Sequence, residues 1–218
     1  MNALTPAMPA FSLPGDLEPT AKAVLGTLGS ARAVRYFKDV AVANELLETL
    51  VWAATRASSP DNSQPWEFVI VTDETVKKGA AAAVSSFLET VAKMEPPLDD
   101  VRSRTRSGAV HLIEHLAEVP ALIFVCGRDS YPASAPEEKY LWGALHAAAQ
   151  NMVVAGRAMQ LSVVLTMLHI AAPGKLRTLL NLPSDVRIGA VMAVGHPARP
   201  FGLVNRRPIA EVIHYDQW

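Results

Sequence analysis

The stretch 137–159, EEKYLWGALHAAAQNMVVAGRAM, constrains the fold more than any other part of the chain. It is long enough for about six helical turns, and its apolar residues fall nearly all the way round. A helix of that pattern is covered by protein on most of its surface. The chain must therefore supply other helices, a sheet face or a second copy of itself as cover. A membrane is the wrong cover, because Gln150, Asn151, Arg157 and Gln160 interrupt the apolar run 147–168. No uninterrupted apolar stretch of about 18 residues exists.

The flanking segments say what that cover is. Residues 44–57 place Leu46, Leu47, Leu50, Val51 and Ala54 at helical spacing, with Asn44 as a cap. The short runs 67–72 (EFVIVT), 120–125 (PALIFV) and 187–195 (RIGAVMAVG) read as strands. Segments 74–94, 105–117 and 175–181 read as helices, and a polar EPPLDDVRSR loop joins the first two. Strands separated by helices of widely differing length predict an α+β or mixed α/β domain. Pro6, Pro9, Pro14 and Pro19 mark residues 1–20 as a poorly ordered leader. The domain then runs over 21–199. Residues 200–218 are proline-broken and poor in core residues, the composition of an arm laid over something else.

With 218 residues, 50% of them hydrophobic, there is enough apolar material for one sizeable core. A net charge of -1 argues against nucleic acid or an anionic membrane as the main partner. Cys126 is the only cysteine, which rules out an intrachain disulfide and suits a reducing compartment. The start of the chain lacks a basic segment followed by an apolar one, so a cytoplasmic location is expected.

Several familiar sites are missing. No G-x-G-x-x-G follows a strand, and neither a G-x-x-x-x-G-K-[ST] loop nor a G-x-S-x-G elbow is present. His111, Glu114 and His115 fit the H-x-x-E-H pattern of one zinc peptidase class, but no third ligand stands out downstream, and a surface helix face explains them as well. No metal is expected. Cys126, at a strand end near Arg128, is read as a packing residue rather than a nucleophile. Two arginine pairs, Arg32 with Arg35 and Arg206 with Arg207, have the fork-shaped donors that a terminal phosphate takes. Each pair is equally a solvated surface charge unless the fold brings them together. The segment SSPDNSQPW (58–66) is either a plain helix-to-strand connection or a cradle of hydroxyl and amide groups.

Taken in order, these pieces resemble the nitroreductase family of FMN-dependent oxidoreductases. ARAVRYFKDVAVANELLETLVWAATRA is similar to that family's arginine-rich opening and the helix after it, and SSPDNSQPWEFVIV to its N-x-Q-P-W signature. GALHAAAQNMVVAGRAMQLSVVLTM is similar to its long helix and the turn beyond. RIGAVMAVGHP followed by NRRPIAEVI resembles its closing strand and basic tail. The resemblance implies an α+β three-layer fold, with a mixed central sheet between helices and a C-terminal arm embracing a second subunit. It implies a homodimer with FMN between subunits and two symmetric sites, hydride arriving from NADH or NADPH and leaving for an electron-poor acceptor by a ping-pong mechanism. Branches of the family with other flavin chemistry, such as reductive dehalogenation, and non-catalytic flavin binding are the alternatives.

Residue by residue, the resemblance gives Arg32 the FMN phosphate, Ala33 a backbone contact and Arg35 the pyrimidine edge of the ring. Ser58, Ser59, Asn62 and Gln64 flank the ribityl chain and ring edge. Leu165 and Thr166 face the ring with backbone groups, and Arg206 with Arg207 closes the phosphate site. Trp66 is structural, residues 84–106 form part of a lid, and no side chain is a catalytic acid or base. The chain departs from the family at Ala31, where another arginine is common, and at Ala33, where serine is common. A lost charge-assisted hydrogen bond costs about 1.5–3 kcal/mol. Ser58 and Asp61 also depart from the pattern, and an anion at Asp61 suits a reduced flavin only if it faces solvent.

Overall fold

The computed structural model describes residues 14–94, 99–204 and 206–218. The helices are α1 (Pro19–Ser30), α2 (Asn44–Ala54), α3 (Glu74–Val84), α4 (Phe87–Ala92), α5 (Asp100–Glu114), α6 (Glu138–Ala158) and α7 (Pro173–Leu179). The strands are β1 (Trp66–Val71), β2 (Ala121–Gly127), β3 (Ser162–Thr166) and β4 (Arg187–Gly195), in the sheet order β1-β2-β4-β3. All three pairings are antiparallel, so among the described residues the sheet is antiparallel where a mixed one was expected.

Alternation along the strands sends side chains to two cores. On one face Ile123 and Val125 of β2, Met192 and Val194 of β4 and Val163 of β3 meet Leu47 and Leu50 of α2 and Leu141, Leu145 and Met152 of α6. On the other face Leu122 and Phe124, Val191 and Val164 meet Ala80 and Val84 of α3, Leu112 of α5 and Leu176 of α7. The α+β three-layer arrangement follows, with α6 covered by sheet and α2 as its pattern requires. A strand covered on both faces reads as one apolar run, and all seven residues of β2 are buried.

The β2–β4 ladder contains a bulge. Val125 pairs with Ala190 but Cys126 pairs with Ile188, which leaves Gly189 as the extra residue. Ile188 is thereby turned into the second core. A side chain at Gly189 would start 2.6 Å from Leu145 Cδ1, so glycine lets β4 press against α6.

Several boundaries differ from the sequence expectation. Asn44 is the first helical residue and Ala43 occupies the cap position, with no side chain bonding the helix end. The single helix expected over 74–94 breaks at Ser85–Ser86 into α3 and α4. The leader expected over 1–20 falls outside the described residues up to 13, and Pro19 and Thr20 already belong to α1. Of the expected lid, residues 95–98 lie outside the described residues, and α5 begins at Asp100, with the Asp99 carboxylate accepting from the Arg102 N–H. The strand β3 was not expected.

After β4 the chain turns back along the segment before α2. Lys38 N–H donates to the His196 carbonyl at 2.8 Å, Ala198 N–H to Tyr36 at 2.8 Å and Val204 N–H to Gly29 at 3.1 Å. Residues 206–218 are exposed throughout. Among the described residues no helix is long and apolar enough to cross a membrane.

Candidate functional site

Residues 31–38 carry the first arginine pair and are fixed from two sides. The buried Ser162 hydroxyl, at the start of β3, donates to the Val34 carbonyl at 2.7 Å. On the other side lies the returning 196–204 segment. Arg32 is exposed, and its Nη1 lies 3.2 Å from where a side chain at Gly202 would begin. Arg35 is half-buried with its Cδ against Gly108 of α5. Burial and the nearby Arg32 hold the Arg35 guanidinium below its ordinary pKa, while Tyr36 acts in the opposite sense.

Two further arginines stand beside this pair. Arg157, from the last turn of α6, donates through Nε to the Ser30 hydroxyl at 3.0 Å and lies 4.5 Å from the Phe201 ring centroid. Arg199 lies 3.5 Å over the Tyr36 ring, which stacks on His111 at 4.2 Å. Among the described residues none of Arg32, Arg35, Arg157 and Arg199 has a carboxylate in ion-pair range. The opposite end of the sheet differs. There Arg128 pairs with Glu67 and with Asp185 (2.7 Å), and Arg187 with Asp129 (3.0 Å) and Glu138 (2.8 Å). An uncompensated group of guanidinium ions is a site for an anion.

The polar segment before β1 is a strained turn. Pro60–Asn62 forms one 3-10 turn, and Asp61, Asn62 and Gln64 have φ of 52°, 50° and 44°. Left-handed backbone at non-glycine residues costs on the order of 1 kcal/mol or more each, and such strain gathers at functional sites. Ser59 holds the turn, its hydroxyl accepting from Gln64 N–H at 3.0 Å and its carbonyl from Asn62 N–H at 3.1 Å. The Ser63 hydroxyl is buried without a partner among the described residues. Asp61 is exposed, so its charge faces solvent, and Trp66 is buried in the first core.

The strand register separates the two groups. The arginines lie at the sheet end where Ser162 pairs with Gly195, while the 58–64 turn leads into Trp66, paired with Gly127 at the other end. β1 and β3 are also opposite edges of the sheet. Seven residues of β2 span roughly 20 Å, so one chain does not bring Arg32 and Arg35 to Ser58, Ser59, Asn62 and Gln64. Leu165 and Thr166 share the strand β3 with Ser162, which anchors the arginine segment, but stand at its far end. They are half-exposed on the edge strand β3, roughly 13 Å from its start, with the Thr166 hydroxyl donating to the Val191 carbonyl at 2.9 Å. Arg206 and Arg207 are exposed just beyond Val204, which is tied to Gly29.

Past the end of β3 a cavity of about 680 Å³ opens between Trp142, His146, Met167, His169, Ile170 and Ile188. His169 is 7% exposed with its Nδ1 unpartnered among the described residues, and burial, with His146 nearby, pushes its pKa down to about 4. Neither His169 nor Arg157 was singled out by sequence reasoning. The one signal was Arg157 as the sole cation between His146 and His169. The H-x-x-E-H residues are engaged otherwise, His111 against Tyr36 and His115 with the Glu118 carboxylate at 3.0 Å. Among the described residues no acidic, histidine or cysteine cluster is disposed to hold a metal. Cys126 is 1% exposed, and burial pushes its thiol up to about 12, which suits packing.

Comparison with known proteins decides the family. The model of the Nitroreductase family matches residues 28–196. The chain belongs to the nitroreductase family. Family relatives include an NADH dehydrogenase of Thermus thermophilus, 24% identical over 84% of this chain and 90% of that one. An iodotyrosine deiodinase of Hydra vulgaris is 24% identical over 86% of this chain and 70% of the relative. A nitroreductase candidate from Desulfovibrio desulfuricans, solved in complex with FMN, superposes with a TM-score of 0.67 at 26% identity, covering 89% of this chain and 97% of that one.

Proposed function

We propose that the protein is an FMN-dependent oxidoreductase that takes hydride from NADH or NADPH and delivers it to an electron-poor acceptor, such as a nitroaromatic or a quinone, in two half-reactions. The observation that carries this reading is the uncompensated arginine group at one end of β3, with Leu165 and Thr166 farther along the same edge. FMN has the matching polarity, an anionic phosphate at one end and a flat ring at the other. Membership of the nitroreductase family supports the same assignment.

In this reading Arg32 takes the phosphate and Ala33 adds a backbone group. Arg35 offsets the negative charge that reduction places on the pyrimidine edge of the ring. FMN supplies the hydride chemistry when bound, so no side chain is assigned as an acid or base. Leu165 and Thr166 hold the ring edge with backbone groups. Ser58, Ser59, Asn62 and Gln64 reach the cofactor from a second copy of the chain, because their own Arg32 is out of range. Arg206 and Arg207 complete the phosphate site from the exposed tail. A homodimer also gives cover to large apolar side chains that one chain leaves in solvent, such as Trp52 (61% exposed) and Tyr215 (85%).

The test is an absorbance spectrum of the pure protein under anaerobic conditions, before and after NADH or NADPH. Flavin bands that bleach with donor and return with a nitroaromatic or quinone are expected. A colourless protein that takes up no added FMN overturns the reading. A second reading, reductive dehalogenation, is favoured by the deiodinase relative. Iodide release from 3-iodotyrosine by the reduced protein, faster than quinone reduction, would select it. Reduced protein that reoxidises only with oxygen would make the chain a flavin-binding protein without an acceptor.

A further inference from the structure

In the proposed phosphate site, position 31 is alanine and offers no side-chain donor. The structure brings a guanidinium beside that position from α6. Arg157 donates through Nε to the hydroxyl of Ser30, the residue before Ala31, across 127 positions of sequence. Ser30 is itself anchored to the carbonyls of Gly26 (2.9 Å) and Thr27 (3.3 Å), so its hydroxyl is a fixed acceptor for Arg157. Phe201 holds the guanidinium by its face, 4.5 Å from the ring centroid, and the next residue, Gly202, has Arg32 Nη1 beside it. Arg157 and Arg32 thus meet successive residues of the returning segment, Phe201 and Gly202, and Arg157 also meets Ser30, two positions before Arg32.

Nε and the ring face of Arg157 are engaged, while Nη1 and Nη2 meet no acceptor among the described residues. Holding such a cation one residue along the returning segment from Arg32, without a carboxylate, is unfavourable until an anion arrives. Its side chain is already immobilised, so little rotamer freedom is lost on binding.

We propose that Arg157 is a third guanidinium of the phosphate site, binding the phosphate monoester of FMN where Ala31 cannot. This rests on the FMN reading of the same site. The bland alternative is a brace that ties α6 to α1 and the returning segment. The two differ in one measurable respect: a phosphate ligand affects FMN and spares riboflavin, whereas a brace affects both alike.

The experiment is a fluorescence titration of the full-length, flavin-stripped protein with FMN and with riboflavin, for the wild type and for R157A, R157Q and R157K. The wild type is expected to prefer FMN by a hundredfold or more. R157A and R157Q should lose at least tenfold of that preference, with riboflavin affinity within about twofold of the wild type, and R157K should regain most of the loss. R157Q keeps length and polarity, so it serves if R157A fails to fold. Equal weakening of both ligands, or an unchanged preference, overturns the proposal while leaving the FMN reading intact. A wild type that binds FMN no better than riboflavin overturns the phosphate site itself and Arg157's part in it.

Discussion

Single residues set the electrostatic character of the site. Ser162 is buried, and its hydroxyl is the link between β3 and the arginine segment. S162A leaves the Val34 carbonyl unpaired and is expected to cost about 1–3 kcal/mol in urea unfolding, with weaker FMN binding as Arg32 and Arg35 loosen. His169 gives a pH prediction. Its folded pKa, about 4, lies below the ordinary 6.5, so the folded protein resists a proton that the unfolded chain accepts. The contribution of His169 to stability is therefore level above about pH 6.5 and falls between 6.5 and 4, with a slope of up to about 1.4 kcal/mol per pH unit. Unfolding curves across that range should show the slope in the wild type and a shallower one in H169F, where His111, also lowered by burial, still contributes. Cys126 should resist thiol reagents in the native protein and react once urea unfolds it.

At the scale of elements, the sequence was readable where burial is simple and opaque where a turn lacks its usual residue. β2 and β4 announced themselves as apolar runs because both faces are covered. β3 was missed, although SVVLT is rich in β-branched residues, because α6 ends without a glycine. Gln160 takes the left-handed position with φ of 59°, and Leu161 N–H reaches back to the Gly156 carbonyl at 2.8 Å. The helix stop is a backbone event there, and the side chain gives no sign of it. The bulge was equally hidden, since Gly189 has meaning only beside Leu145. L145A should cost about 2–5 kcal/mol by opening a cavity between α6 and the sheet. G189A should cost about 1–3 kcal/mol by the opposite fault, overpacking. A variant of either kind with wild-type stability would contradict this packing. The residues of the proposed site were legible one by one, in Arg32, Arg35 and the 58–64 turn. The placement of Arg157 was not, because it reaches Ser30 from 127 positions away in sequence.

At the scale of the whole molecule, the proposed site is composite, with arginines and β3 edge from one chain and the Ser59–Asn62 turn from another. The register places those two groups at opposite ends of one sheet, so in the proposed reading a second copy reunites them. Mixed dimers test this directly. The double variants R32A/R35A and S59A/N62A are each expected to bind FMN poorly alone. In a dimer that pairs one chain of each, one site collects all the defects and the other is intact. FMN titration of the purified heterodimer should therefore recover one tightly bound FMN per dimer. A heterodimer that binds FMN as poorly as either parent would contradict the composite site.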